Sequence, residues 1–385
     1  MSSNYSYETL QLIEPNFKSP LTDLIIELDH LRKKKLGGST HPSIFFQLKG
    51  IFHLLESLES ARIEGNRTTL AELIDEKMGA DKLKGEELAE IENVGKAMGF
   101  IEENVDTTTP IDRRLISEIH KIVVGGLSPE KEGDKTPGAY RETEIKISKA
   151  AHIPPATKYQ IEDYMEELFK FINSDTPSKY DLLKTALVHH RFVWIHPFRN
   201  GNGRTVRLLT YALLVKQGFN VKVGRILNPA AIFCNDRQKY YDFLGRADTG
   251  KKEELLAWCE YVLSGLKIEI EKIDRLLDYS FLTEKILLPA LSWSLGRKII
   301  TPLEEKILKV AITKQRFQAS DLKVVLPDKI PAEVSRILRG LKEKNMISPT
   351  GEKTRKYYIH FFNSFLLRGV IHMLVQNGFV PLKEE

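Results

Sequence analysis

The spacing of apolar and polar residues along the chain is helical in most places. In seven stretches the apolar residues return every three to four positions, the spacing that puts them on one face of an α-helix. These stretches are residues 44–60, 115–124, 161–172, 181–195, 204–215, 255–266 and 268–277. We find no repeat with a period of 20–50 residues, which argues against a solenoid. The pattern predicts a mainly α-helical protein.

The helical spacing is interrupted in two regions. Residues 125–155 are rich in Gly and Pro, and residues 144–147 (EIKI) alternate as in a β-strand. From residue 301 onward, two helical stretches flank a short helix near 320–325, and a turn then precedes a short alternating strand. Three helices followed by a hairpin is the order of a winged helix. Pro289 and residues 296–301 predict a linker before it.

Length and composition limit the class of protein. With 385 residues the chain has room for two or three domains of about 150 residues each. Hydrophobic residues make up 42% and charged residues 28%, which excludes a disordered tail, a collagen and a disulfide scaffold. Cys234 and Cys259 are the only cysteines, which favours a reducing compartment. With no signal-peptide pattern and no apolar run near the ~20 residues of a membrane helix, we expect a cytoplasmic protein.

Residues 195–207, IHPFRNGNGRTVR, are the densest cluster of chemical groups in the sequence. An apolar helix ends before Pro197, which lacks an N–H and does not easily continue a helix. Gly201 and Gly203 flank Asn202, and glycines permit positive φ and the close approach of a ligand. A new helix then begins near Arg204. Free N–H groups at such a helix start can bind an anion.

The charged residues of this cluster suit a phosphate ligand. Arg204 and Arg207 are three positions apart, so they share one helix face and can bind two parts of a polyphosphate. His196 lies just ahead of this anion site, where an imidazole can serve as a general base. His189 and His190 precede it, but their spacing is not a zinc pattern, and we predict that they pack in the core.

This cluster resembles the Fic-family motif, His-Pro-Phe-x-(Asp/Glu)-Gly-Asn-Gly-Arg-x-x-Arg. Eight of its nine defined positions match, namely His196, Pro197, Phe198, Gly201, Asn202, Gly203, Arg204 and Arg207. The resemblance implies an all-helical core in which a loop and the following helix hold ATP. It also implies transfer of AMP from ATP to a hydroxyl group of Tyr, Thr or Ser on a target protein or on the chain itself.

The resemblance assigns roles to these residues. His196 would take the proton from the incoming hydroxyl group. The backbone from Gly201 to Gly203, with Asn202, would cradle the α- and β-phosphates, and Arg204 and Arg207 would neutralise phosphate charge. In that chemistry positioning and charge stabilisation dominate the rate.

Position 200 departs from the family motif. Relatives commonly have an acidic residue there that helps hold Mg²⁺, which bridges phosphate oxygens. Asn200 offers a neutral carbonyl oxygen instead, and we keep it as the predicted metal ligand. The substitution leaves open a second hypothesis, in which the same scaffold transfers a different phosphate-containing group.

Residues 60–65, SARIEG, resemble the inhibitory motif of the same family, (Ser/Thr)-x-x-x-Glu-(Gly/Asn). Glu64 would then pair with Arg207 and block the productive pose of ATP, with Ser60 beside it. A carboxylate and a phosphate compete for the same guanidinium, so the prediction is physically reasonable. The alternative is an ordinary helix end with Gly65 as its cap.

Two further segments resemble family features. Residues 138–155 resemble the β-hairpin flap that covers the nucleotide and aligns a target segment, with Ile147 and His152 placed nearest to the nucleotide. The alternative is an ordinary surface hairpin. Tyr240 and Tyr241 resemble a Tyr pair near the adenine, although aromatic residues in a helix are as often core residues.

Together these features predict three regions. They are an N-terminal helical region with the inhibitory helix (1–100), a Fic core (101–285) and a winged-helix domain (295–385). Residues 301–360 hold 13 Lys and Arg against 7 Asp and Glu, a net charge of +6. This excess suggests contact with DNA or protein and supports a third hypothesis, a nucleotide-sensing DNA-binding regulator with little catalysis.

Overall fold

The computed structural model describes residues 9–33, 39–77, 85–147, 152–219, 226–351 and 354–380. In chain order its helices and strands are α1 (Pro20–Lys33), α2 (Pro42–Glu64), α3 (Leu70–Lys77), α4 (Glu86–Asn104), α5 (Arg113–Val124), α6 (Lys158–Asn173), α7 (Asp181–Ile195), α8 (Asn202–Lys216), α9 (Ala230–Cys234), α10 (Arg237–Ala247), α11 (Lys252–Asp274), α12 (Tyr279–Leu282), α13 (Leu288–Gly296), α14 (Pro302–Lys314), α15 (Pro331–Glu343), β1 (Ile347–Pro349), β2 (Tyr357–Ile359) and α16 (Leu366–Gln376). Short 3₁₀ segments lie at Ser178–Tyr180, Arg275–Leu277 and Ala319–Val324, and a π-helical turn lies at Thr283–Leu287.

The chain folds into two compact units. The first consists of the described parts of 1–35, 56–67 and 84–270, and the second of those of 36–55, 68–83 and 271–385. Helix α2 therefore begins in the second unit and ends in the first.

The core of the first unit is built around α7 and α8. These two helices pack against each other, and α4, α5 and α6 surround them. Nearly every residue of α7 and α8 is buried, as expected for helices that are apolar around most of their circumference. The Trp258 indole of α11 donates a hydrogen bond of 2.7 Å to the carbonyl of Ala186 in α7. The loop between α7 and α8 is therefore held at both ends by buried helices.

The second unit combines α-helices with a small β-hairpin. Strands β1 and β2 are antiparallel, with Ile347 opposite Ile359, and Phe317 forms an isolated bridge to Tyr357. Gln47, in the first half of α2, donates to the carbonyl of Ile359 and accepts from the N–H of Phe361. Helix α14, the 3₁₀ segment, α15 and this hairpin follow one another in the order predicted from the sequence.

The structure confirms the mainly helical fold and refines the predicted elements. The stretches predicted as 255–266 and 268–277 form one helix, α11, which ends in a 3₁₀ turn. Pro289, predicted in a linker, lies in the first turn of α13, where its missing N–H is tolerated. Residues 144–147 form no strand, and the flap residues 148–151 lie outside the described part of the chain. Among the described residues, no helix is both long and apolar enough to cross a membrane.

Candidate active site

The loop between α7 and α8 has an unusual backbone. His196, the residue after α7, has φ 50° and ψ 62°, a left-handed conformation that only a minority of non-glycine residues adopt. Gly201, just before α8, has φ 73°. Asn202 fixes the loop between them, since its Oδ1 accepts from the Phe198 N–H at 2.9 Å and its Nδ2 donates to the Phe198 carbonyl at 2.8 Å. The Asn202 side chain thus links the start of α8 to Phe198 and fixes the shape of the loop.

His120, on α5, packs against this loop. Its ring is fully buried and stacks on Phe198, with centroids 3.7 Å apart. The Gly138 N–H donates to Nδ1 at 2.8 Å, so Nε2 carries the proton and donates to the Asn200 carbonyl at 3.0 Å. Burial lowers the pKa of His120 to about 4, which keeps the ring neutral. The sequence gives no signal for this residue beyond a histidine within an apolar helix.

His196 has the protonation state that a general base needs. Its Nδ1 lies 3.2 Å from the Val193 carbonyl. Because a carbonyl can only accept, Nδ1 carries the proton and Nε2 has a free lone pair. Burial lowers the pKa of His196 to about 4, so the ring is neutral at physiological pH. A neutral imidazole with an unprotonated Nε2 can accept a proton from a hydroxyl group.

Arg207 and the end of α2 form an ion pair. Arg207 Nη2 lies 2.7 Å from Glu64 Oε1, and Arg207 Nε donates to Ser60 Oγ at 2.8 Å. Burial acts to raise the pKa of Glu64, but the charge and hydrogen bond of Arg207, together with the charge of Arg204, bring the pKa below its usual value. A Cβ added to Gly203 would lie 2.0 Å from Glu64 Oε1. The Glu64 carboxylate therefore lies directly against the start of α8, where we predicted the phosphates.

Arg204 is held by carboxylates from two other elements. Its Nη1 lies 3.0 Å from Glu90 Oε1 of α4, and its Nη2 lies 2.7 Å from Glu132 Oε2 in the loop after α5. Nη2 also donates to the Glu132 carbonyl at 2.9 Å. Burial raises the pKa of Glu90 even though Arg204 opposes this shift. Neither acid was predicted, because no motif spacing connects them to the 195–207 segment.

Asn200 is engaged in the same loop. Its amide nitrogen donates to the carbonyls of Gly133 at 2.6 Å and Lys131 at 3.1 Å. These bonds hold the loop that presents Glu132 to Arg204. Among the described residues, no three His, Cys, Asp or Glu side chains gather as a metal site. The role of Asn200 as a metal ligand stays a prediction.

The predicted Tyr pair faces two different ways. Tyr240 is buried and lies 3.0 Å from His189 Nε2 through its hydroxyl group, within a group of aromatic rings around Trp258. Tyr241 is 41% exposed, and its hydroxyl group donates to the carbonyl of Ile63 at 3.3 Å. Tyr241 thus contacts the residue before Glu64, at the end of α2.

The predicted flap residues also lie in different environments. Ile147 is half-buried and is the last described residue before the gap at 148–151. His152 is buried, stacks on Trp194 and donates from Nε2 to the Trp194 carbonyl at 2.8 Å. His152 therefore packs against α7, and its side chain anchors the far end of the predicted flap.

A neutral histidine, a glycine-rich helix start and two buried arginines are groups that suit an anion beside a general base. Residues 110–214 match the Fic/DOC family. The matched segment includes residues 195–207, in agreement with the predicted resemblance.

Curated relatives carry the same family name. The protein adenylyltransferase Fic of Drosophila sechellia is 32% identical over 195 residues, which cover 50% of this chain and 36% of that protein. The protein adenylyltransferase Fic of Nematostella vectensis is 32% identical over 196 residues, covering 50% of this chain and 42% of that protein. This chain therefore spans less than half the length of these two relatives.

Solved structures show the same fold. A Fic family protein from Desulfovibrio desulfuricans G20 superposes with a TM-score of 0.52 at 17% identity, covering 91% of this chain and 98% of that chain. Fic-1 from C. elegans superposes with a TM-score of 0.51 at 20% identity, covering 66% of this chain and 71% of that chain.

Proposed function

We propose that this protein transfers AMP from ATP to a hydroxyl group of Tyr, Thr or Ser, on a target protein or on itself, and that Glu64 restrains the reaction. The observation that carries the proposal is the 2.7 Å ion pair between Glu64 and Arg207, near the start of α8. A carboxylate at this point occupies the site of a negatively charged ligand, and the adjacent His196 is poised as a base.

The residues around this ion pair fit a polyphosphate. Gly203 leaves room for an anion, since any side chain there would collide with the Glu64 carboxylate. The first N–H groups of α8 have no partners within the helix and suit phosphate oxygens. Arg207 Nη1 is buried without a hydrogen-bond partner, so it can donate to a ligand. When Glu64 leaves, Arg207 and the helix start can hold the phosphates of ATP.

His196 would perform the proton transfer. The target oxygen forms a bond to the α-phosphorus, the bond from the α-phosphorus to the bridging oxygen of the β-phosphate breaks, and pyrophosphate leaves. The hydroxyl proton passes to Nε2 of His196. The Nδ1 bond to the Val193 carbonyl orients the ring and stabilises the imidazolium that forms.

Mg²⁺ is the metal that this reaction would use. Mg²⁺ usually keeps several waters and takes one or two protein ligands besides substrate phosphates, so it does not need a dedicated cage of acids. Asn200 Oδ1 is the ligand that the motif position offers. The metal would neutralise the charge that develops on the phosphate oxygens. A neutral ligand predicts weaker metal binding than a carboxylate would give.

The first prediction tests the transferred group and the inhibition together. With ATP labelled at the α-phosphate and Mg²⁺ present, Glu64→Gly should raise protein labelling about tenfold or more, because a charged hydrogen bond is worth about 1.5–3 kcal/mol. The double variant Glu64→Gly/His196→Ala should lose that labelling. Glu103→Gly, near the exposed end of α4, is the matched control and should label like the wild type.

The outcomes separate the hypotheses. Absence of α-label transfer in Glu64→Gly, with either Mg²⁺ or Mn²⁺, would contradict AMP transfer. Transfer of label from the γ-phosphate alone would indicate a phosphotransferase instead. Equal labelling by the wild type and Glu64→Gly would contradict the inhibition.

The second unit has its own predicted partner. We infer that residues 295–385 act as a winged helix that contacts DNA or another protein, and that the protein works in the cytoplasm. Arg336, Arg339 and Lys342 are exposed on α15, the counterpart of a recognition helix. Lys344 is already paired with Glu304 at 2.7 Å, which reduces the charge available to a phosphate backbone.

A further inference from the structure

One arginine outside the motif is bonded to the backbone on both sides of His196. The Nε of Arg141 donates to the His196 carbonyl at 2.8 Å, and its Nη2 lies 3.3 Å from the carbonyl of Ile195. The backbone N–H of Arg141 donates to the Pro197 carbonyl at 2.9 Å. The carbonyls of three successive residues, 195 to 197, thus accept hydrogen bonds from a single residue.

The same guanidinium holds both ends of the predicted flap. Arg141 Nη1 donates to the carbonyl of Thr143 at 2.9 Å, and Nη2 donates to the carbonyl of Pro155 at 2.8 Å. Arg141 is only 4% exposed. Its five N–H donors lie in a rigid plane, which lets it bind several carbonyls at fixed angles.

The hydrogen bonds from Arg141 compensate for two unfavourable features of the backbone at the end of α7. The carbonyls at the end of α7 have no partner within the helix, and they carry the negative end of the helix dipole. His196 leaves the helix in a left-handed conformation that costs energy for a residue with a side chain. The buried guanidinium of Arg141 is planar and rigid, so its hydrogen bonds can hold the backbone of His196 in that conformation.

We propose that Arg141 is a positioning residue that fixes the left-handed backbone of His196 and couples it to the two ends of the flap segment. Arg141 does not touch the transferred group. It acts by setting where the His196 ring points relative to the segment that would align a target. The proposal rests on the proposed AMP transfer for its kinetic consequence, and its structural consequence is independent of that reaction.

The charges around His196 make the coupling measurable. Burial is the largest cause of the low pKa of His196. The Val193 carbonyl and Glu64 act to raise this pKa, and Arg141 acts to lower it further. Removing the Arg141 charge should therefore raise the pKa of His196. Arg141→Lys keeps the charge but loses the planar fork, so it should leave this pKa nearly unchanged while loosening the loop.

The experiment compares Arg141→Gln and Arg141→Lys with Arg113→Gln, all in the Glu64→Gly background. Arg113 is a nearby arginine that stacks over Tyr140 and pairs with Glu162, without bonds to the His196 loop. We would measure α-label transfer at several pH values and ATP binding by equilibrium dialysis. Hydrogen exchange would be followed in peptides from 142–147 and 192–200. His196 would be titrated by NMR, with its signal assigned from His196→Ala.

We expect Arg141→Gln to lower the turnover at least tenfold with ATP binding changed less than threefold. Exchange in both peptides should become faster, and the pKa of His196 should rise. Arg141→Lys should speed exchange without that pKa change, and Arg113→Gln should behave like its parent.

Two results would overturn the proposal. One is exchange and a His196 titration in Arg141→Gln that match Arg113→Gln. The other is a loss of labelling that comes entirely from weaker ATP binding. If the Glu64→Gly parent transfers no label, the proposed function fails, and the exchange and titration measurements still decide the role of Arg141.

Discussion

Arg207 has both of its nearest polar partners on one helix. Ser60 accepts from its Nε, and Glu64 accepts from its Nη2. Paired with Glu64 alone, the long Arg207 side chain could still change its orientation. The hydrogen bond from its Nε to Ser60 fixes the plane of the guanidinium. In the proposed inhibition, Ser60 would therefore contribute to the restraint although it carries no charge.

Ser60→Ala should release the site only partly. It removes a hydrogen bond worth about 1–1.5 kcal/mol but keeps the Ser60 carbonyl and Glu64 as partners of Arg207. We expect α-label transfer to rise about five- to tenfold, less than in Glu64→Gly, and the double variant to label like Glu64→Gly. Ser335→Ala, at an exposed position of α15, is the control. A rise as large in Ser60→Ala as in Glu64→Gly would contradict this ranking.

The part of helix α2 that belongs to the first unit has three polar residues on one face. Glu56, Ser60 and Glu64 are four residues apart, so they line one side of the helix. Both carboxylate oxygens of Glu56 accept from the Ala230 N–H, at 3.0 and 2.9 Å. Glu56 thus ties α2 to the start of α9, one turn before Ser60.

Glu56 should make the stability of the protein depend on pH. Burial raises its pKa to about 8, partly offset by the Ala230 hydrogen bond. Because the folded pKa is above the unfolded value, its stabilising contribution is complete below about pH 4.5 and is lost as the pH rises toward 8. Glu56→Gln keeps an acceptor for Ala230 and should raise the free energy of unfolding at pH 8 by a few kcal/mol, at about 1.4 kcal/mol per pKa unit.

The measurement is urea unfolding of the wild type and Glu56→Gln at pH 5, 6.5 and 8. The advantage of the variant should shrink steadily as the pH falls. A difference between the two proteins that stays constant across this range would show that Glu56 does not titrate as proposed.

At the scale of the whole molecule, positive charge is concentrated in one part of the sequence. The chain carries a net charge of +5, while residues 301–360 alone carry +6. The rest of the chain therefore has a slight net negative charge. The proposed nucleotide site lies in this part of the chain and would rely on local groups, namely Arg207 and the start of α8.

This distribution predicts salt-dependent binding of the full chain to duplex DNA. The logarithm of the binding constant should fall linearly with the logarithm of the salt concentration, with a slope of about −0.9 for each phosphate contacted. Arg336→Ala and Arg339→Ala should each weaken binding and reduce the slope by about one, whereas Lys18→Ala in the first unit should not. Fluorescence anisotropy at 50 to 200 mM salt measures this, and no binding at the lowest salt would refute the contact.

The sequence predicted the local parts of the molecule better than the parts that meet in space. Helices α2, α5, α6, α7, α8 and α11 follow from apolar spacing, whereas α1, α4 and α16 were not predicted. His196, Gly203 and Arg207 were predicted from one contiguous motif. Glu90 and Glu132 come from separate elements, so no spacing could connect them with Arg204. Arg141 lies in the segment predicted as the flap. Its proposed role depends on backbone carbonyls, and because every residue has one, the sequence carries no signal for it. The strand predicted at 144–147 rested on four residues, too few to distinguish alternation from chance.

The position of Glu64 at the very end of α2 has a consequence for how the site could be opened. Glu64 is the last residue of the helix, and Gly65 follows with φ 111°. In the proposed inhibition the carboxylate would be a tethered competitor, so its effective concentration at Arg207 would be set by the helix and would not fall when the protein is diluted. Terminal turns are also the parts of a helix that fray first. The proposed restraint would then depend on the stability of one helical turn, and a partner could tune it without entering the proposed active site.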